Sequence, residues 1–265
     1  MNYPQINPTL FNIGPLEIRW YGLMYFFSLI IGYLLLKRFL KFRAVELKKE
    51  LYESLIFYIM LGVVIGGRLG YVIFYHPLYY LQNPLHIFTV WQGGMSFHGG
   101  ALGVIILGFW FCRKYNLRFY QLADPAMPLI SIGLLLGRLG NFINGELYGR
   151  ITTLPWGMIF PESDGRPRHP SQLYEAFLEG ILLFLISYLI LRFSRREGIV
   201  FWSWIGLYGL FRFLVEFLRE PDAHLGFIIS FLTMGQILSL AMIIAGMIGL
   251  YRLHLKTDQN GDENT

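Results

Sequence analysis

Cysteine is nearly absent: Cys112 is the only one in 265 residues, which excludes an internal disulfide framework and a cysteine metal cluster. Charge is scarce too. Asp, Glu, Lys and Arg make up 15% of the chain, against about 25% in a typical soluble domain. Spaced metal ligands, a phosphate-cradling glycine loop and a serine-nucleophile elbow are all lacking, so neither a metal nor a cofactor is expected. What fills the chain instead is apolar. Hydrophobic residues account for 55% and the mean hydropathy is +0.48, the composition of an integral membrane protein. The opening segment carries Pro and Asn but no basic cluster, and the first apolar run is long, so no cleavable signal peptide is expected.

Seven apolar runs approach the roughly 20 residues needed to cross a bilayer; they fall at about 18–36, 55–74, 95–111, 127–143, 174–191, 199–217 and 228–250. They are too long and too uniformly apolar for barrel strands, and in lipid a helix satisfies its own backbone. The expected fold is all-α: a polytopic integral membrane protein with about seven transmembrane helices in a single domain. Residues 1–17 form an external N-terminal segment, 18–250 the helical core and 251–265 a cytoplasmic tail. Basic residues set the orientation. Lys37, Arg38, Lys41, Arg43, Lys48 and Lys49 follow the first helix, Arg113, Lys114 and Arg118 the third, and Arg192, Arg195 and Arg196 the fifth. The alternate loops are poorer in them, so the N-terminus lies outside and the C-terminus in the cytoplasm. The net charge of +5 is then a set of topology signals, not a nucleic-acid footprint. Trp20, Tyr79, Tyr80, Trp91 and Trp156 fit an external aromatic belt.

Glycines recur four apart, at Gly62, Gly66 and Gly70, at Gly99 and Gly103, and at Gly133 and Gly137. Small residues at that spacing let helix backbones approach closely. The string Gly-Arg-Leu-Gly occurs at 67–70 and again at 137–140, which is compatible with an old parallel duplication.

The few charged residues inside the apolar runs share one depth. With the orientation above, Arg68, Arg138 and Arg212 lie toward the external ends of outward-running helices. Tyr21, His98 and Tyr174 lie at the external beginnings of inward-running ones, and Glu175, Glu179 and Glu216 fall in the same layer. A charge at the centre of a membrane helix costs about 2.5–3.5 kcal/mol on insertion scales, so each needs a partner, water or a task. Arg138 is followed by Asn141, Asn144 and Glu146, too many polar groups for snorkelling alone. Arg68 either snorkels to the outer surface or joins the layer. Arg212 and Glu216, four apart, either neutralise one another or clamp a substrate. His98 is either a hydrogen-bonded packing residue or a base, and Glu175 and Glu179 suit counter-ions of the arginines better than paired catalytic carboxylates. Cys112 lies at the inner end of its helix, away from the layer. Arginine presents a planar fork of donors that matches phosphate, and a histidine of near-neutral pKa can take a proton from a nucleophile. The inner half of each helix is almost purely apolar, which disfavours a full-depth ion pathway. These residues describe a membrane protein handling a phosphate-bearing amphiphile at the outer face.

Gly137-Arg138-Leu139-Gly140-Asn141-Phe142-Ile143-Asn144-Gly145-Glu146, continuing to Gly149, resembles the signature of the prolipoprotein diacylglyceryl transferase family. Arg19-Trp20-Tyr21-Gly22, Ser96-Phe97-His98-Gly99-Gly100, His169-Pro170-Ser171-Gln172-Leu173-Tyr174-Glu175, Arg212-Phe213-Leu214-Val215-Glu216 and Arg219-Glu220-Pro221-Asp222 resemble further family elements, in family order along nearly the whole chain. The resemblance implies transfer of the diacylglyceryl group of phosphatidylglycerol to the lipobox cysteine of a prolipoprotein signal peptide in the bacterial inner membrane. A thioether forms and glycerol 1-phosphate leaves. It further implies that Arg138 binds phosphatidylglycerol, that Arg212 is a second essential arginine, and that Tyr21, His98, Asn141, Glu146, Gly149 and Glu216 are functional positions, with His98 as the thiol base. An anionic-phospholipid flippase or transporter using the same arginines is the alternative from another class.

Overall fold

The computed structural model describes residues 1–14, 16–90, 93–220, 227–229 and 232–262; at 13, 16, 97, 98, 227–229 and 256–262 only the backbone is described. Trp91, Pro221 and Asp222 therefore lie outside the described residues. The chain forms two compact units, one of Met1–Arg43 with Ala123–Thr265 and the other of Ala44–Leu122.

Among the described residues six helical stretches are long and apolar enough to cross a membrane: Trp20–Arg43, Lys49–Phe74, Phe119–Asn144, Ser171–Phe193, Ile199–Glu216 and Met234–Leu255. They correspond to six of the seven expected runs. At the place of the remaining run lies α4 (Phe97–Lys114), 18 residues long, with the Ser96 hydroxyl accepting the Gly99 N–H at 3.2 Å to cap its start. The helices present bulky apolar side chains outward, such as Phe26, Leu29 and Leu34 on α1 (Trp20–Leu40), each more than half exposed. In water such a surface would aggregate; in lipid it is solvated.

Within the unit of Ala44–Leu122, α2 (Lys49–Phe74) packs against α4 along the glycine positions. A methyl group on Gly66 would come within 2.8 Å of the Gly103 Cα, and one on Gly70 within 2.7 Å of the Gly99 Cα. The helix pair is thus held by backbone contact, as the four-residue spacing predicts. The same spacing misleads at Gly133 and Gly137, where an added methyl would meet nothing within 4 Å among the described residues. Arg68 is buried and, among the described residues, pairs with no carboxylate. Its guanidinium donates to the carbonyls of His86, Ile87, Gly93 and Gly94 at 2.5–3.1 Å and lies over the Tyr80 ring, so it knits the segment that follows α2, including the short α3 (Pro77–Gln82).

In the other unit the N-terminal segment is not a loose tail. Strands β1 (Thr9–Ile13) and β2 (Leu16–Arg19) pair antiparallel. Tyr3 is buried between Phe142 and Phe160 and donates its hydroxyl to the Phe142 and Ile143 carbonyls. Helix α5 (Phe119–Asn144) begins eight residues before the expected run and carries Pro125 and Pro128 inside it. Each proline withholds an N–H from the ladder, yet the turn is anchored by Asp124. That carboxylate is fully buried, accepts two guanidinium N–H groups of Arg43 at 2.9 and 3.0 Å, and accepts the backbone N–H groups of Gly198 and Phe201 at 2.9 Å each. It thereby caps α8 (Ile199–Glu216), satisfying N–H groups that have no intrahelical partner.

The fifth expected run divides into α6 (Ser171–Glu175), a π-helical segment Ala176–Leu182 and α7 (Leu183–Phe193). The last run departs most. Its first residues are not helical: β3 (Phe227–Ile229) pairs with β4 (Leu232–Thr233), and α9 (Met234–Asp262) starts only afterwards and continues through most of the expected tail. A reciprocal cap fixes that start. The Thr233 hydroxyl accepts the Gln236 N–H at 3.2 Å, and the Gln236 side-chain oxygen accepts the Thr233 N–H at 3.1 Å.

Candidate active site

Arg138 of α5, Arg212 and Glu216 of α8, and Glu175 and Glu179 of the Ser171–Phe193 span meet in one buried cluster. Glu175, at the end of α6, is its centre. One of its carboxylate oxygens lies 2.6 Å from Arg138 Nε and 3.0 Å from Arg212 Nη1, while the other faces Arg219 Nη1 at 3.8 Å. Glu179 follows on the π-helical segment, 3.6 Å from Arg138 Nη2 and 3.8 Å from Arg212 Nη1. Arg212 also reaches Glu216 one turn along α8, at 2.8 Å. Glu175 and Glu179 are the counter-ions their positions suggest, and Arg212 and Glu216 do pair, but the pair is tied into the larger cluster. A π segment inside an α-helical span is a rare geometry that recurs at functional sites.

Glu216 has a second tie. Its other oxygen accepts the Thr233 hydroxyl at 2.9 Å, and a methyl on Gly235 would come within 2.7 Å of this carboxylate. One threonine hydroxyl therefore both caps α9 and fixes a site carboxylate. Neither Thr233 nor Gln236 stands out in the sequence, since the Thr-x-x-Gln signal sits inside an apolar run.

Arg138 and Asn141 share a helix face but not a partner. Asn141 and Asn144 both donate to the Glu146 carboxylate, at 2.8 and 3.1 Å, and the Gln172 side chain holds the Glu146 carbonyl at 2.6 Å. The Tyr21 ring packs on Gly140, where a methyl would approach it to 2.8 Å, and its hydroxyl meets that of Tyr25 at 3.0 Å. Asn141 and Glu146 are thus one group beside the arginine cluster, with Tyr21 packed on the neighbouring Gly140.

Gly149 contributes backbone. Its N–H donates to the His169 carbonyl at 2.8 Å, it bridges Arg219, and a methyl there would lie 2.7 Å from the His169 Cβ. Only glycine allows the segment after α5 to run this close to Arg219, whose side chain faces Glu175. His169, buried in the same segment, shares its Nδ1 with the Tyr174 hydroxyl at 3.2 Å, and that hydroxyl accepts the Trp156 indole N–H at 2.7 Å. Burial holds the imidazole below its usual pKa. Nearby, the hydrogen bond from Arg168 holds Asp164 below the usual carboxylate range. His98 falls on α4, in the Ala44–Leu122 unit; its side chain lies outside the described residues. Among the described residues no group of three His, Cys, Asp or Glu side chains could hold a metal ion.

Helices of membrane length around a buried arginine–carboxylate cluster define a multi-pass membrane protein with an intramembrane polar site built on guanidinium groups. The chain belongs to the prolipoprotein diacylglyceryl transferase family, whose model matches residues 8–252. It is 53% identical over 247 residues to the phosphatidylglycerol–prolipoprotein diacylglyceryl transferase of Geobacter sulfurreducens, covering 93% of this chain and 95% of that protein. Proteins of the same name from Bordetella parapertussis (53% over 253 residues, 95% of this chain and 96% of that one) and Aliivibrio salmonicida (52% over 248 residues, 94% and 88%) are similarly close.

Proposed function

We propose that this protein transfers the diacylglyceryl group of phosphatidylglycerol to the lipobox cysteine of a prolipoprotein signal peptide in the bacterial inner membrane. Seven membrane helices would place the arginine cluster toward the outer face. The single observation that carries the site assignment is the convergence of Arg138 and Arg212 on Glu175 inside an apolar bundle. Two guanidiniums held together there match a phosphodiester, and their donors are already oriented for oxygen acceptors.

In this reaction the thiol sulfur attacks the diacylglyceryl carbon that bears the phosphate. A C–S bond forms, the C–O bond breaks, and the electron pair leaves on the phosphate oxygen of glycerol 1-phosphate. The thiol proton goes to a base or to solvent. Arg138 and Arg212 clamp the phosphate and stabilise the charge on the departing oxygen. Tyr21, Asn141 and Glu146 hold the headgroup glycerol beside it, Gly149 keeps Arg219 in place, and Glu216 orients Arg212. The nucleophile belongs to the substrate, so Cys112 has no part in the chemistry.

His98 is the proposed base. A free thiol has a pKa of about 8.5 and is mostly protonated at neutral pH. His98→Gln lowers turnover with little change in lipid affinity, and raising the pH toward the thiol pKa restores part of the rate. Unchanged turnover at neutral pH removes His98 from the mechanism. The reaction itself is tested by incubating purified protein with phosphatidylglycerol and a lipobox peptide. Glycerol phosphate release that depends on the peptide is the expected result; lipid scrambling without release would support the flippase instead.

A further inference from the structure

The Arg212 guanidinium meets Glu216 one turn along α8 at 2.8 Å, and the far side of that carboxylate is held by the start of α9. The two helices run antiparallel in close contact. A methyl on Gly246 would lie 2.7 Å from the Gly206 Cα, one on Gly209 2.8 Å from the Ser239 carbonyl oxygen, and one on Gly235 2.7 Å from a Glu216 oxygen. Contacts at 206 with 246, 209 with 239 and 216 with 235 fix one register along the pair. The Ser239 hydroxyl in turn donates to the Gly235 carbonyl at 2.7 Å. Glu216 is thereby pressed against the first turn of α9, the positive end of that helix.

Thr233 directly precedes α9 and is buried. As a cap it uses only a lone pair: its oxygen accepts the Gln236 N–H at 3.2 Å, while the Gln236 side chain accepts the Thr233 backbone N–H at 3.1 Å. The hydroxyl proton is left over, and it is donated to Glu216 at 2.9 Å. Pairing of Thr233 with Phe227 between β3 and β4 fixes the backbone that carries this hydroxyl. Serine, threonine, aspartate and asparagine all serve as N-caps, and glycine is only slightly worse. Of these only serine and threonine carry an O–H. The cap does not require one; the carboxylate does.

We propose that Thr233 is a positioning residue of the transfer reaction: its hydroxyl locks the Glu216 carboxylate, and through it the Arg212 guanidinium, in the plane that receives the lipid phosphate. Thr233 touches neither the substrate nor the reacting atoms. Without the hydroxyl, Glu216 is free to turn about its side chain, and Arg212 loses a fixed partner on its Nη2 side. This rests on the assignment of Arg212 to the phosphate.

The test is kcat/KM for glycerol phosphate release by the purified full-length protein in detergent, with phosphatidylglycerol and a lipobox peptide, and Tm measured in parallel. Thr233→Val keeps the side-chain shape and removes the hydroxyl; kcat/KM falls about tenfold or more, the loss expected for one hydrogen bond to a charged group. Thr233→Ser retains the wild-type rate. Gln236→Ala opens the cap but leaves the hydroxyl on Glu216, so Tm falls while kcat/KM stays near wild type. A double-mutant cycle adds a readout that a merely structural role would not move. In an Arg212→Lys background Thr233→Val costs much less, because an ammonium has no plane to orient. Wild-type kcat/KM in Thr233→Val overturns the proposal, as does an equal loss in Gln236→Ala or an additive cycle. Should the valine protein fail to fold, Thr233→Gly decides, since glycine caps nearly as well and has no hydroxyl. A folded glycine protein with reduced kcat/KM supports the proposal, and one at the wild-type rate overturns it. Arg212→Ala separates the two assignments. If it keeps full activity the phosphate clamp is wrong; if it is inactive while Thr233→Val turns over like wild type, only the role of Thr233 is.

Discussion

Arg138 makes its closest contact through Nε, at 2.6 Å from Glu175, with Nη2 turned toward Glu179. A lysine keeps the charge but has neither the planar fork nor its second edge. Arg138→Lys is expected to lower kcat/KM roughly 10- to 150-fold, the loss of one charge-assisted hydrogen bond of about 1.5–3 kcal/mol, with normal insertion. Arg212→Lys is impaired less, because Glu216 one turn away can hold an ammonium. Near-normal turnover of Arg138→Lys would remove phosphate clamping from this position. Arginines and glutamates inside apolar runs are legible in a sequence because each is costly there, and Arg138, Arg212, Glu175, Glu179 and Glu216 do meet. Which glutamate serves which arginine was not legible. The i,i+4 spacing singles out Arg212 and Glu216, whereas the shortest contact joins Arg138 to Glu175 across two elements.

Among the elements, the α2–α4 pair offers the plainest test of packing. Gly66→Ala puts a methyl 2.8 Å from the Gly103 Cα, an overpacking that costs about 1–3 kcal/mol. The alanine protein is expected to unfold at lower temperature in detergent, while Gly133→Ala, whose methyl meets no described neighbour, is not. In the segment between α5 and α6, His169 ties pH to stability. Its folded pKa is depressed by burial, so the unfolded state binds more protons below the ordinary histidine value of about 6.5. Its stabilising contribution is complete above that pH and declines as the pH falls toward the folded value. Tm is expected to drop on acidification through this window, and His169→Gln to flatten that part of the profile; an unchanged slope would rule His169 out as its source. The element types were mostly readable from hydrophobic length, yet the ends were not. The start of α9 depends on the Thr233–Gln236 cap and on strands β3 and β4, the run of α5 through two prolines depends on Asp124, and the π segment leaves no mark in an apolar pattern.

For the whole molecule, the expected orientation makes a direct claim. A cysteine placed at Asn83 is labelled by an impermeant reagent from outside, and a reporter fused after Lys256 is active in the cytoplasm. Labelling at 83 only after the inner face is opened would reverse the topology and with it the outer-face site.

Asp124 also bears on the order of synthesis. Arg43 leaves the ribosome 81 residues before Asp124, and Asp124 precedes the Phe201 N–H by a further 77. At about 5–20 residues per second, the carboxylate waits roughly 4–15 s for the α8 terminus that completes its shell. During that interval Asp124 has Arg43 but not the N–H groups of Gly198 and Phe201, and the nascent chain exposes a half-satisfied ion pair. A ribosome that stalls, or a chain truncated before residue 198, leaves that pair open, with the carboxylate lacking the two backbone donors at the start of α8.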